Sequence, residues 1–182
     1  MKQLLLVSWL LLLSAILGLP EVKADVRMPL IFGNHMVLQQ DTRITIWGWA
    51  DAGENIEVLF AGQKVRTTAN ADGTWQVKLK PVKTKKKGET LTITGKNKLV
   101  YSDVLVGDVW VASGQSNMEW GIKVRKEYAD DIAHSEDSLL RLFFVPKNTS
   151  LQPLSEIEIP QGTASPERAA RWVLCTPEML AK

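Results

Sequence analysis

The stretch best suited to chemistry in this 182-residue chain is Ser113-Gly114-Gln115-Ser116-Asn117-Met118, set directly after the apolar run Val109-Trp110-Val111. A serine hydroxyl at the end of a strand can act as a nucleophile if a base removes its proton and backbone N–H groups face the developing oxyanion. Gly114 lets the backbone turn tightly there, since it carries no Cβ. The run is not the Gly-x-Ser-x-Gly elbow, because Met118 stands where the second glycine would be. On pattern alone, a polar turn closing a strand explains these residues better than a nucleophile does.

Few other residues could do chemistry. Cys175 is the single cysteine, and His35 and His134 are the two histidines. An intrachain disulfide and a cysteine-based zinc site are therefore excluded, and a structural metal has few donors to use. No metal and no cofactor are expected. The net charge of +2 is too small to suggest nucleic acid. Asn148-Thr149-Ser150 fits a glycosylation sequon, relevant only in a host that glycosylates.

The elements that would position Ser116 fall into three stretches. Residues 1–24 read as a secretory signal peptide: Lys2 gives the positive start, Leu4 to Leu17 an apolar stretch, and Val22 and Ala24 the cleavage positions. The apolar stretch is shorter than the roughly 20 residues of a membrane span. The mature chain is expected to begin near Asp25, to be secreted or periplasmic, and to stay off the membrane after cleavage. Its oligomeric state is not legible.

Residues 25–105 read as an N-terminal antiparallel β-sandwich. Short strands at Arg43–Ala50, Ile56–Phe60, Lys64–Ala69, Thr74–Leu79 and Glu89–Gly95 are separated by turns at Asp51-Ala52-Gly53, Gly62, Asp72-Gly73 and Gly88. The basic run Lys83 to Lys87 reads as a solvated turn, and Trp47, Trp49 and Trp75 as core residues within strand patterns.

Residues 106–182 change character. Val109 to Val111 reads as a buried strand of the parallel type, followed by a helix over about Val124 to Ser135, a strand over Leu139 to Val145 and a short strand over Arg171 to Cys175. Thr176 is expected to cap a helix begun by Pro177. Strand, helix, strand is the opening of an α/β domain. The fold class is therefore mixed: β first, then the start of an α/β domain.

Gly107-Asp108-Val109-Trp110-Val111-Ala112-Ser113-Gly114-Gln115-Ser116-Asn117-Met118-Glu119-Trp120 resembles the signature of the sialate O-acetylesterase family, whose hydrolase domain is of the SGNH serine-esterase type. Phe32–Gln40, Trp47–Gly53, Asp72–Leu79 and Trp172–Glu178 look like other recurring segments of that family, in the same order. The resemblance implies a carboxylic ester hydrolase acting on O-acetylated sugars, either sialic acid or other acetylated glycans. It implies Ser116 as nucleophile, with its own N–H an oxyanion donor, and Gly114, Gln115 and Asn117 shaping the site.

The resemblance also implies an Asp-x-x-His motif far downstream, where Asp supports the histidine that serves as base. The sequence has Asp131-Ile132-Ala133-His134, too close to Ser116 for that pattern and better read as a shared helix face. His35 reads as ordering a turn. The expectation is an SGNH-like hydrolase domain truncated in this chain, lacking its catalytic Asp and His and poorly active alone. The alternative is a non-catalytic secreted β-sandwich that binds carbohydrate and carries a vestigial hydrolase stub.

Overall fold

The computed structural model describes residues 25–119, 121–122, 125–163 and 169–181. The signal-peptide reading of residues 1–24, together with Trp120, Val124 and Pro166, lies outside the described residues. What is described is mostly β structure with few helical turns.

A five-stranded sheet has the order β1-β7-β6-β3-β4, where β1 is Val37–Gln39, β3 Asn55–Phe60, β4 Gln63–Thr68, β6 Lys85–Thr94 and β7 Lys98–Gly107. A separate pair joins β2 (Ile44–Trp49) to β5 (Thr74–Leu79) in antiparallel register, with Ile46 opposite Val77. The alternation visible in the sequence sets which face is buried. Ile44, Ile46, Trp75, Val77 and Leu79 from the pair meet Ile56, Val58, Phe60, Leu91, Ile93, Val104 and Val106 from the larger sheet in one apolar cluster. Each such side chain, once fully removed from water, contributes about 1.5–3 kcal/mol. The turns at Gly53, Gly62 and Gly73 fall where glycine was expected, whereas Gly88 lies inside β6 rather than in a turn; Gly73, at φ 78°, takes a conformation that a side chain disfavours.

Four expectations need correction. The module is not wholly antiparallel, because β1 runs parallel to β7, with Leu38 opposite Val106. The chain between them supplies the crossover that parallel pairing needs. Lys85, Lys86 and Lys87 are not a turn: they begin β6, with Lys85 opposite Val106 and its ammonium on Glu89. Charged side chains tolerate a strand when they point to water. Trp75 is a core residue and Trp47, half-buried, packs against the core through Phe32, whereas Trp49 is half-buried on the other face of β2 from Ile46. There Trp49 is covered by the Arg27 guanidinium, 3.9 Å from its ring centre.

The fourth concerns the α/β unit. Asp108 to Gly114 has no regular structure, and Trp110 and Val111 are 88% and 91% exposed. An apolar run forms a buried strand only with neighbours on both sides, and the described residues offer this one none. The helical stretch is confined to a 3-10 turn, Lys126–Tyr128, running into Ala129–Ala133. β8 (Asp137–Phe143) then pairs antiparallel with β9 (Trp172–Cys175), with Phe143 opposite Trp172. Thr176 caps the final helical turn, Pro177–Leu180, its side chain accepting from the Met179 N–H. Among the described residues, no helix is long and apolar enough to cross a membrane.

Candidate active site

Ser116 opens a 3-10 turn, Ser116–Glu119, nine residues beyond the end of β7 rather than at the end of a strand. Gly114, Gln115, Ser116 and Asn117 are all exposed. The turn closes when the Met118 N–H donates to the Gln115 carbonyl at 2.9 Å. That brings Met118 back over Gly114, where an added Cβ would lie 2.8 Å from the Met118 Cγ. The glycine is therefore needed for close approach, although a flexible methionine could yield. The N–H groups at the start of such a turn, here those of Ser116 and Asn117, have no partner within it.

The structure engages both histidines elsewhere. His134 Nδ1 donates to the Asp130 carbonyl at 2.8 Å, since a carbonyl can only accept. Among the described hydrogen bonds none joins His134 or Asp131 to Ser116. His35 lies in the turn before β1, at φ 65°, and its Nδ1 donates to Asp103 Oδ2 at 2.7 Å.

Asp103 is the centre of a cluster that the sequence reading did not find. Arg141 of β8 donates to the same Asp103 oxygen at 3.0 Å, with its side chain only 3% exposed. Arg141 also donates to the Ser138 carbonyl, while its buried Nε has no partner. Asp103 is aimed by an irregularity: the β6–β7 register shifts around Gly88, and Asp103 sits at φ 53°. A Cβ on Gly88 would lie 2.7 Å from the Asp103 Cα, so only glycine permits this approach. Burial by itself would raise the Asp103 carboxyl, but the His35 hydrogen bond and the Arg141 charge outweigh it and hold the group below its ordinary value. The cluster ties the β module to β8. Gly88 beside a charged strand was the signal available in the sequence, but its partner lies across the sheet.

Cys175 is buried and its Sγ contacts the Ser135 carbonyl at 3.2 Å. Burial first, and then the Asp137 charge, push its thiol up, away from reactivity. Among the described residues, no group of three His, Cys, Asp or Glu side chains could hold a metal ion.

A second feature lies where the segment after β8 crosses the start of the module. A cavity of about 380 Å³ is walled by Pro29, Ile31 and Trp47 on one side and by residues between Val145 and Glu158 on the other. The Trp172 indole N–H donates to the Ile31 carbonyl at 2.7 Å and helps hold the two together.

No family model matches the chain. It is 32% identical to the sialate O-acetylesterase of Mus musculus over 141 aligned positions, which take in 69% of this chain and 26% of that protein. The Rattus norvegicus sialate O-acetylesterase is 34% identical over the same span, 25% of its length. A crystal structure of a carbohydrate acetylesterase from Xanthomonas citri superposes with a TM-score of 0.76 and 34% identity, covering 86% of this chain and 34% of that one. The chain thus spans about a quarter of the length of the curated relatives it matches.

Proposed function

From the homology of this chain to the sialate O-acetylesterases, we propose that it carries the nucleophile of an enzyme that removes acetyl esters from sugar hydroxyls. In this reading the module is a β-sandwich, and residues 106–182 open an SGNH-type hydrolase domain. The signal-like residues 1–24 direct the protein out of the cytoplasm.

The observation that supports it best is Ser116, exposed at the first position of a turn, with Gly114 packed under Met118. The Ser116 Oγ attacks the acetyl carbonyl, and the oxyanion forms against the N–H groups opening that turn. Collapse of the tetrahedral intermediate releases the sugar alcohol and leaves an acetyl-serine, which water hydrolyses to acetate. Gln115 and Asn117 flank the nucleophile and shape its surroundings. Among the described hydrogen bonds, His134 Nδ1 meets the Asp130 carbonyl and His35 Nδ1 meets Asp103, and neither ring reaches Ser116. In this reading the base that accepts the serine proton is neither of them.

The test is deacetylation of an O-acetylated sugar by the longest natural form of the protein. Ser116→Ala is expected to lower kcat by at least about a thousandfold with little change in KM, and preserved turnover would remove Ser116 from the mechanism. The 182-residue chain alone should turn over an activated acetyl ester at background rate. Serine-dependent turnover by that chain would assign the base to one of its own histidines.

A further inference from the structure

We propose that the cavity between Trp47 and the segment after β8 is a subsite for an uncharged pyranose unit of a glycan. The inference rests on the reading above only in taking the ligand to be a carbohydrate. A sugar ring has an apolar C–H face and a rim of hydroxyls, and a site for it needs both kinds of surface.

The apolar surface comes from Trp47, Val145 and Leu154. Trp47 is held in place by two edge contacts, to Phe32 with ring centres 6.3 Å apart and to Trp49 at 5.5 Å. A ring fixed in advance loses little freedom when a ligand stacks on it. The polar surface comes from Asn148, Glu156 and Glu158. Glu156 is anchored: its Oε1 accepts from the N–H groups of Leu30 at 3.1 Å and Ile157 at 2.8 Å, and Arg27 lies 3.6 Å from its Oε2. Glu158 accepts one hydrogen bond, from the Asn148 amide at 2.8 Å. A carboxylate has room for about four, so Glu158 can still receive sugar hydroxyls.

The charge of the wall selects the ligand. Two carboxylates line the cavity and no lysine or arginine does, among the described residues. Arg27 balances Glu156 from outside the wall, which leaves Glu158 as net negative charge. A sugar acid would bring a third carboxylate to a wall on which Glu158 is exposed, where like charges about 4 Å apart still repel by about 1 kcal/mol in water. A neutral hexose or pentose meets no such penalty. The volume of about 380 Å³ lies at the small end of ligand sites, about 300–1,000 Å³, which suits one sugar ring.

The experiment uses the 182-residue chain without its signal-like leader, labelled with 15N at the indoles and titrated with cellotriose, xylotriose and N-acetylneuraminic acid. A neutral trisaccharide is expected to shift the Trp47 indole resonance, identified with Trp47→Phe, while the sugar acid leaves it in place. Glu158→Gln should weaken neutral-sugar binding about tenfold with the fold intact by circular dichroism. Leu154→Arg, which puts a long charged side chain into the cavity mouth, should abolish it. Ser116→Ala should leave binding unchanged, so sugar binding at this subsite is read separately from any role of Ser116 in ester cleavage. Three results would overturn the proposal. These are no shift with either neutral sugar at tens of millimolar, a sugar acid bound as tightly as they are, or folded Glu158→Gln and Leu154→Arg proteins that bind like the parent.

Discussion

The β module up to Gly107 and the segment from Asp108 onward both contain apolar strands, yet among the described residues only the module's strands meet in a hydrophobic core. In the module, β2, β3, β5, β6 and β7 all point alternate side chains into a shared cluster in which Val58, Ile46, Leu91 and Ile93 are fully buried. In the later segment, Trp110, Val111, Leu139, Leu140, Phe144, Val145 and Leu151 are exposed, and among the described residues the buried apolar side chains are few and small, such as Ala169, Ala170 and Cys175. Strands that find partners within a few turns of sequence can bury themselves. A hydrophobic run that needs neighbours on both faces stays exposed until they are present.

The sharpest way to break that contrast is to make the same kind of change in both regions. Ile93→Ala should lower the unfolding free energy by about 2–5 kcal/mol in a urea titration, because the cavity it leaves is closed on all sides. A loss below about 1 kcal/mol would mean that the module core is loose. Next in size is the tie between the regions. Asp103→Ala leaves the buried Arg141 guanidinium without its carboxylate and should cost about 1–3 kcal/mol. Gly88→Ala should cost a similar amount by forcing β6 away from Asp103. An unchanged urea midpoint in both variants would show that the cluster joins nothing.

The same tie gives a pH dependence with a definite sign. The folded-state value of Asp103 is lowered, so its contribution is present above the ordinary carboxyl value, about 3.9, and is lost as pH falls through the folded value. Asp103→Asn should therefore narrow the difference in urea midpoint between neutral pH and about pH 3. A parent and variant with parallel pH profiles would contradict the lowered carboxyl. The smallest effects belong to the exposed run. Trp110→Ser and Val111→Ser should each change stability by less than about 0.5 kcal/mol while reducing aggregation, measured by light scattering, since they remove uncovered apolar surface. A large destabilisation would show that these residues are packed after all.

Much of the module was legible in its sequence. Strand alternation at Ile44–Trp49 and Thr74–Leu79, with glycine at turns such as Gly73, places β2 to β5 to within a residue or two, whereas β6 begins four residues before the expected Glu89 and β1 and β7 were not legible. These are local signals: a side chain alternates or a backbone turns because of its own chemistry. The final cap was legible for the same reason, with Thr176 ahead of Pro177. The Ser113-to-Met118 run was legible as a polar turn, because a serine beside a close-packed glycine is a statement about neighbours in sequence.

What the sequence could not decide was everything that depends on distant partners. Apolarity at Val109–Val111 is the same whether neighbours cover it or not, and only the three-dimensional arrangement shows it exposed. The parallel β1–β7 pairing joins residues about seventy positions apart, Val37 with Leu105. Asp103 reads as an ordinary strand residue until His35 and Arg141 close on it from two other elements. Sequence by itself determined which residues could turn and alternate, because those properties are carried by single side chains and their nearest neighbours. Tertiary structure decided which of them meet, because burial, charge pairing and cavity walls exist only where separate stretches of chain converge.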